Sequence, residues 1–138
     1  MAKQPTSAGF KRTRNDHACE TAEDYVEVID DVIAAHGECR VTQLAEEFGV
    51  SHVTAHKIVR RLERDGLATS EARKPIELTR KGKRLASRCR KRHDIVYRFL
   101  LAIGVSKRAA AIDSEGIEHH VSPETLERMR DIAESARQ

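Results

Sequence analysis

The stretch VTQLAEEFGVSHVTAHKIVRRLERDG, residues 41–66, contains two short amphipathic segments joined by a tight turn. The first is predicted to be a helix over Val41–Phe48, which Thr42 can cap and Gly49 ends. Ser51 can cap a second helix. Two helices joined in this way predict a helix-turn-helix, whose second helix enters the major groove of DNA. The apolar positions of the second helix recur at i, i+3, i+4 and i+7 and are Ala55, Ile58, Val59 and Leu62.

The outer face of the second helix carries basic and hydrogen-bonding side chains, which are the types that contact DNA. Thr54 and Lys57 are the candidate base readers, whereas Arg60 and Arg61 would position the DNA backbone. The alternative is an ordinary helical hairpin with a solvated charged face. The candidate contacts are Ser51, His52, Val53, Thr54, His56, Lys57, Arg60 and Arg61.

A short two-stranded wing is predicted directly after this helix. Asp65 and Gly66 end the helix, and two strands are expected over Leu67–Glu71 and Ile76–Leu78. The tip between them carries Arg73 and Lys74, which can reach phosphates or a minor groove. The alternative is an exposed turn with long side chains and no DNA contact.

Further helices flank this segment. One is predicted from about Glu20 to Gly37, with a stripe of Tyr25, Val28, Ile29, Val32 and Ile33. Thr79 can cap a long helix that ends at Gly104, Ser106 can cap a stretch reaching His120 with a bend at Gly116, and Pro123 begins a last helix. The prediction is a mainly α protein: a flexible basic arm over 1–19, a winged helix-turn-helix domain over 20–78, and an all-helical domain over 79–138.

Charge is unevenly distributed along the 138 residues, although the net charge is only +3. Residues 17–50 hold nine acidic side chains and one basic side chain, whereas residues 57–108 hold seventeen basic and five acidic ones. Residues 109–138 are acidic again. A central block of about +12 suits a phosphate backbone, and the alternative is a set of solvated helix faces.

Composition also excludes several protein classes. No apolar run reaches the roughly 18 residues of a membrane span, and the N-terminal residues do not resemble a signal peptide. We therefore expect a cytoplasmic protein with no membrane partner. Cys19, Cys39 and Cys89 are odd in number, far apart and without a CxxC pair, so neither a disulfide framework nor a thiolate zinc site is predicted.

The densest cluster of metal-ligand types is EGIEHH, residues 115–120. On a regular helix Glu115, Glu118 and His119 stand at i, i+3 and i+4, so their side chains can converge. Asp24 and Glu27 form a second pair three residues apart, whose alternative role is to favour a first helical turn. A sixth candidate is His93, whose alternative is a structural or surface histidine. Four carboxylates and two imidazoles together would favour manganese or ferrous iron over copper or structural zinc.

Five stretches together resemble the manganese-transport regulator branch of the diphtheria-toxin-repressor family of metal-dependent bacterial repressors. They are AEDYVEVI (22–29), the segment 50–67, LTRKGKRLA (78–86), RHDIVYRFLLAIGV (92–105) and DSEGIEHHVSPETLERM (113–129). The resemblance implies that Glu27 and Glu115 can bridge two manganese ions in each subunit. The metal ligands that it implies are Asp24, Glu27, His93, Glu115, Glu118 and His119.

The resemblance also implies a homodimer, assembled through the C-terminal helices, that binds a palindromic double-stranded operator. Loaded with manganese, it would repress manganese-uptake genes. The family's iron-responsive branch carries a sulfur-bearing residue where Glu118 stands and usually a further C-terminal domain, which we do not expect here. Ferrous iron nevertheless stays open as the physiological ion. The wing tip lacks the usual glycine, and the basic N-terminal arm is an addition.

Three other functions are alternatives for this sequence. A di-metal oxidase would use Glu-x-x-His, and no histidine lies three residues after a glutamate, so an enzyme is not predicted. A winged-helix regulator could instead sense an organic ligand or an oxidant, with Cys19, Cys39 or Cys89 as the sensor. A nonspecific DNA-coating protein would bind random and operator sequences equally.

Overall fold

The computed structural model describes residues 7–137, with side chains described from Thr21 onward. The fold is mainly α with one small sheet, as predicted. The elements are α1 (Ser7–His36), α2 (Val41–Phe48), α3 (His52–Arg64), β1 (Ala68–Thr69), β2 (Glu77–Leu78), α4 (Arg80–Ala102), α5 (Lys107–Ile117), a 3-10 turn (Glu118–His120) and α6 (Pro123–Ser135).

Helix α1 starts earlier than predicted. Residues 7–19 are helical rather than a flexible arm, and residues 1–6 lie outside the described residues. The sequence has neither proline nor glycine between Phe10 and His36, so a helix formed over the apolar stripe can extend toward the N-terminus. The predicted end is confirmed: Gly37 has a φ of 85°, and its N–H donates to the Ile33 carbonyl at 2.8 Å.

The helix-turn-helix has the predicted boundaries, and its caps explain them. Helix α2 ends at Gly49, which has a φ of 61°. The Oγ of Ser51 accepts the Thr54 N–H at 3.1 Å and so caps α3. The predicted cap of α2 is wrong. Thr42 lies inside the helix, and the cap residue is Arg40, whose N–H donates to Gln43 Oε1 at 2.7 Å.

One compact unit comprises Glu20–Ser87, and its core joins α1, the helix-turn-helix and the sheet. Of the four apolar residues predicted for the inner face of α3, three are fully buried and Ile58 is half-buried. Val26 is also buried, although it was not assigned to the stripe. The Tyr25 and Phe48 rings stack with centroids 4.0 Å apart. The largest buried side chains of this core are Ile29, Leu44, Leu62, Ile76, Val26 and Val59.

The wing is present, but its strands are shorter than predicted. β1 and β2 contain two residues each and pair antiparallel, with Ala68 opposite Leu78. The N–H of Ile76 donates to the carbonyl of Cys39 at 2.7 Å, so it is not available to extend the pairing with β1. A turn closed by the Lys74 N–H and the Glu71 carbonyl occupies the tip.

The start of α4 is hydrogen-bonded to the turn that follows α3. Thr79 Oγ1 accepts the Gly82 N–H at 3.1 Å, which confirms the predicted cap, and donates to the Gly66 carbonyl at 2.6 Å. A Cβ on Gly82 would overlap the carbonyl oxygen of Leu67. Glycine is therefore required there by space, not by backbone conformation.

The second compact unit contains the described residues from Arg88 onward and the first part of α1. Ser106 and Ser122 cap α5 and α6 through hydrogen bonds to the N–H of the third residue beyond each. The predicted bend at Gly116 is wrong, because α5 continues through it and tightens to a 3-10 turn only at Glu118. Within residues 7–137, no helix combines the length and apolar character that crossing a bilayer requires. The core of this unit is formed by Val96, Leu100 and Ala110, with Tyr97, Phe99, Leu126 and Met129 against it.

Candidate metal centre and nucleic-acid interface

Three side chains of the second unit converge on one point. His93 Nδ1 lies 3.7 Å from Glu115 Oε1 and 3.8 Å from Glu118 Oε2. One ligand atom from each of the three residues lies within 4.8 Å of the other two. Helix α4 supplies the imidazole, α5 supplies Glu115, and the 3-10 turn supplies Glu118.

The side chains of this group differ widely in burial. The side chain of Glu118 is 0% exposed, whereas that of Glu115 is 64% exposed. The imidazole of His119, which is only 1% exposed, places Nε2 at 3.4 Å from Glu118 Oε1. An ionised carboxylate inside a protein needs a compensating cation or proton, because it loses its hydration. One imidazole nitrogen lies near each carboxylate oxygen of Glu118. A cation bound at this buried carboxylate would therefore be stabilising.

The spacing fits a divalent cation. Two donors bound about 2.1 Å from one ion are separated by about 3.0 Å when adjacent and about 4.2 Å when opposite in an octahedron. The 3.7 and 3.8 Å separations lie between these values, and they exceed ordinary hydrogen-bond lengths. Two carboxylate oxygens and one imidazole nitrogen form a donor set that suits manganese or ferrous iron. The residues present thus fit a metal ion of this class.

The predicted geometry of this cluster is partly wrong. Because Glu118 and His119 lie in a 3-10 turn, Glu115, Glu118 and His119 do not share one regular helical face. The structure instead groups Glu115 and Glu118 with His93, while His119 contacts Glu118 from outside that group of three.

Asp24 and Glu27 are half-buried on α1, in the unit Glu20–Ser87. Because α1 begins at Ser7, neither residue lies in its first turn. A stabilising effect at a helix N-terminus therefore does not explain them. Their role as ligands stays a prediction.

The candidate DNA-contacting side chains of α3 and the wing are exposed. Val53 is the most apolar of them and is 63% exposed. A groove of about 570 Å³ lies between α3 and the wing tip, and its lining includes His52, His56, Arg60 and both tip cations. Arg40 also lines this groove, although it was not among the predicted contacts. An exposed cation just before α2 was the signal that could have found it.

Hydrogen bonds within α3 determine what two of its side chains can offer to DNA. The Arg60 Nε–H donates to His56 Nε2 at 3.3 Å, which leaves the Nδ1 of His56 as the protonated nitrogen of a neutral imidazole. The Thr54 hydroxyl oxygen accepts from Ser51 at 2.9 Å, so its own proton stays available as a donor. Both side chains can therefore donate to acceptors on base edges.

Backbone strain marks the wing tip. Arg73 has a φ of 65°, and among the described residues it is the one position with positive φ that is not glycine. Arg40 Nη1 donates to the Arg73 carbonyl at 3.4 Å, and Lys74 Nζ lies 2.8 Å from Glu71 Oε2. A left-handed arginine costs about 1 to 2 kcal/mol relative to the ordinary conformation. A glycine at this position would avoid that strain but would not place a cation at the tip.

The cysteine environments disfavour a thiol sensor. Cys39 and Cys89 are both buried and form no disulfide. Burial raises the pKa of the Cys39 thiol to about 11, which keeps it protonated and unreactive near neutral pH. The side chain of Cys19 lies outside the described part of the chain.

Two family models match the chain. Residues 17–75 match the N-terminal DNA-binding domain of iron-dependent repressors, and residues 79–138 match their metal-binding and dimerisation domain. The chain belongs to the iron-dependent repressor family. It is therefore a DNA-binding transcriptional regulator with a divalent metal cofactor and a dimerisation domain, and it is not an enzyme.

Curated relatives place this repressor in the MntR branch of the family. The transcriptional regulator MntR of Escherichia coli O6:H1 is 44% identical over 122 residues, which are 88% of this chain and 79% of the relative. The HTH-type transcriptional regulator MntR of Bacillus subtilis is 36% identical over 112 residues, 81% of this chain and 79% of the relative. The predicted family and branch are confirmed.

Two solved structures of metal-dependent regulators have the same fold. A manganese-dependent transcriptional repressor in complex with manganese is 29% identical with a TM-score of 0.71, and the match covers 82% of this chain and 52% of that chain. The manganese regulator SloR is 25% identical with a TM-score of 0.70, and the match covers 82% of this chain and 53% of SloR. This chain spans about half the length of both.

Proposed function

We propose that this manganese-responsive regulator represses manganese-uptake genes by binding a palindromic operator as a homodimer when manganese is bound. The observation that carries the proposal is the convergence of His93, Glu115 and the buried Glu118. A regulator of manganese uptake needs a site that reports the ion, and these three side chains supply one in the domain that the family uses for metal binding.

The proposed ligand set is larger than this group of three. Glu118 is the anchor, because its burial makes a bound cation most stabilising there. Glu115 is exposed and can use its second oxygen for a neighbouring ion, as can Glu27, which gives a stoichiometry of two ions per subunit. The proposed ligands are Asp24, Glu27, His93, Glu115, Glu118 and His119.

Manganese is favoured over the alternatives by donor chemistry. The set contains four carboxylates and two imidazoles and no sulfur, and hard oxygen donors suit manganese. By affinity alone zinc and copper would win, so selectivity must come from coordination number and from the metal available. Ferrous iron is the closest competitor and is included as a separate arm of the test.

The six proposed ligands come from both compact units, so a site that included all of them would couple metal binding to DNA binding. The carboxylates repel one another when no cation is present, which disfavours the conformation that binds metal. If the DNA-binding conformation is also the one that holds the ion, manganese raises the affinity for DNA, and DNA raises the affinity for manganese by the same factor. A coupling free energy of about 1 to 3 kcal/mol is typical of such systems.

DNA recognition is proposed to use α3 in the major groove. Thr54 and Lys57 read base edges, with His52 and His56 as further donors and Val53 as an apolar contact for a thymine methyl group. Ser51, Arg60 and Arg61 position the backbone from α3, while Arg73 and Lys74 do so from the wing. Two half-sites about 34 Å apart would then match the two recognition helices of a dimer.

Homodimer formation through the C-terminal helices has support in exposed apolar side chains. Ile103, Ile112 and Ile132 are 56%, 65% and 48% exposed, and all lie in the unit that matches the dimerisation domain. Large exposed apolar side chains are typical of surfaces that are covered in an assembly.

The test is selection of genomic DNA fragments by the full chain with manganese, ferrous iron, zinc or a chelator. We expect fragments upstream of manganese-uptake genes to be enriched with manganese and lost with the chelator. Glu118→Ala should abolish the enrichment, whereas the matched control Glu127→Ala, an exposed acid on α6, should keep it. Selection of the same fragments in the presence of the chelator would refute the proposal.

A further inference from the structure

The first half of α4 concentrates positive charge that the wing and α3 do not account for. Between Arg80 and Arg92 it holds eight basic residues and no acidic one. The first acidic residue of the helix is Asp94, which pairs with Arg98 at 2.8 Å. The first half of α4 therefore carries a large local excess of positive charge.

Four of these cations form a single stripe. At 100° per residue, Arg80, Arg84, Arg88 and Lys91 lie within an arc of about 80° on one side of the helix. All four are exposed, whereas Ala86 and Cys89, on the opposite side, are fully buried. The stripe is about 16 Å long at a rise of about 1.5 Å per residue. Its geometry follows from one continuous helix.

This arrangement is electrostatically unfavourable for the isolated chain. Arg80 stands at the positive end of the helix macrodipole, where cations are destabilising. Arg80 with Arg84 and Arg84 with Arg88 are like charges at i, i+4, each destabilising by about 0.2 to 0.5 kcal/mol. None of the four stripe side chains makes an ion pair or a hydrogen bond with another residue within 21–137. A bound polyanion would relieve all of these terms together.

We propose that this stripe binds the phosphate backbone of duplex DNA, next to the backbone that α3 and the wing contact. The inference deepens the proposed function and rests on it. The start of the stripe adjoins the end of the recognition helix: Lys81 Nζ donates to the Asp65 carbonyl at 3.0 Å, and Thr79 bonds to Gly66. About 16 Å of duplex axis carries about five phosphates of one strand, which is enough for four cations.

Two features favour duplex DNA over other polyanions. The face contains no aromatic residue between its cations, so it lacks the stacking surface that single strands require. The apolar side of this helix half is buried in the protein, so it cannot insert into a lipid interface.

The test measures the salt dependence of binding to two duplexes with manganese present: a fragment selected as above and a scrambled duplex of the same length. For Arg84→Gln/Arg88→Gln we expect the magnitude of the slope of log K against log salt to fall by about 1.8 on both duplexes, because about 0.9 is lost per phosphate contact. At 0.1 M salt this corresponds to about 60-fold weaker binding, with the preference for the selected fragment unchanged.

Matched variants separate the outcomes. Arg84→Lys/Arg88→Lys keeps the charges and should keep most of the slope, while Lys107→Gln/Arg108→Gln removes two exposed cations from α5 and should leave it unchanged. An unchanged slope for Arg84→Gln/Arg88→Gln would overturn the inference, and if manganese still enhances binding to the selected fragment, the proposed function survives. Loss of preference for the selected fragment would also overturn it. A third refutation would be stripe-dependent binding to vesicles containing phosphatidylserine at the same salt.

Discussion

Replacement of Glu118 by glutamine should change the stability of the metal-free and manganese-loaded proteins in opposite directions. The substitution preserves the size of a side chain that is 0% exposed and removes its charge. Without metal, that charge is buried near Glu115, and the ligand atoms of the two residues lie within 4.8 Å. With metal, the same charge is one of the donors that hold the ion.

The magnitude follows from this geometry. Two unit charges within 4.8 Å of each other repel by at least about 3.5 kcal/mol at an effective dielectric constant of about 20. Because the side chain of Glu115 is 64% exposed, solvent screening reduces this to about 1 kcal/mol. Glu118→Gln should therefore raise the free energy of unfolding of the metal-free protein by about 1 kcal/mol. It should also weaken manganese binding by about 100-fold or more, since outer-shell changes alone cost 10- to 100-fold.

These two effects reverse the stability order. Manganese at about 100 times the wild-type dissociation constant stabilises the wild type by about 2.7 kcal/mol but stabilises the variant by only about 0.4 kcal/mol. Thermal unfolding at fixed pH, with chelator and then with manganese, measures both states. The variant should melt above the wild type with chelator and below it with manganese, whereas Glu127→Gln should match the wild type in both. Equal stabilisation of Glu118→Gln and wild type by manganese would show that Glu118 does not hold the ion.

Three further outcomes are expected. Gly82→Ala should lower the free energy of unfolding, measured in urea, by about 1 to 3 kcal/mol, because the new Cβ would overlap the Leu67 carbonyl. Gly116 has open space around it, so Gly116→Ala should raise the free energy of unfolding by about 0.5 to 1 kcal/mol. Equal effects of the two substitutions would contradict the crowding at Gly82. Arg73→Gly should weaken binding to every duplex by about eightfold at 0.1 M salt, as measured by fluorescence anisotropy. It should not lower the free energy of unfolding in urea, because glycine adopts the positive φ of this position without strain. A loss of affinity for some sequences only would argue against a phosphate contact. Burial raises the pKa of the Cys39 thiol from 9.0 to about 11, so this thiol should resist iodoacetamide at pH 8 until the chain unfolds. The contribution of the protonated thiol to stability should be lost as the pH rises from about 9 through 11. Rapid labelling of Cys39 in the native protein, detected by peptide mass spectrometry, would contradict its burial.

The helix boundaries were predictable where a local residue sets them. Gly49 ends α2, and Ser51 starts α3, because a left-handed glycine and a side-chain cap act within one turn of the chain. Contacts distant in sequence were not predictable. The wing strands are short because Ile76 bonds to Cys39, thirty-seven residues earlier, which no periodicity in the wing reveals.

The metal centre shows the same division. Residue types identified the EGIEHH segment and His93 as candidates, because carboxylates and imidazoles are donors that suit manganese or ferrous iron. Which of them converge depended on the packing of α4 against α5 and on the 3-10 turn that begins at Glu118. Helical spacing alone therefore grouped His119 with the glutamates, whereas the structure groups His93 with them. The full ligand set and the DNA contacts stay predictions.

The most direct test of the metal centre is anomalous X-ray scattering from crystals of the full chain grown with manganese. We expect a manganese peak about 2.0 to 2.3 Å from Nδ1 of His93 and from carboxylate oxygens of Glu115 and Glu118. Manganese bound elsewhere, with no peak within reach of Glu118, would contradict it.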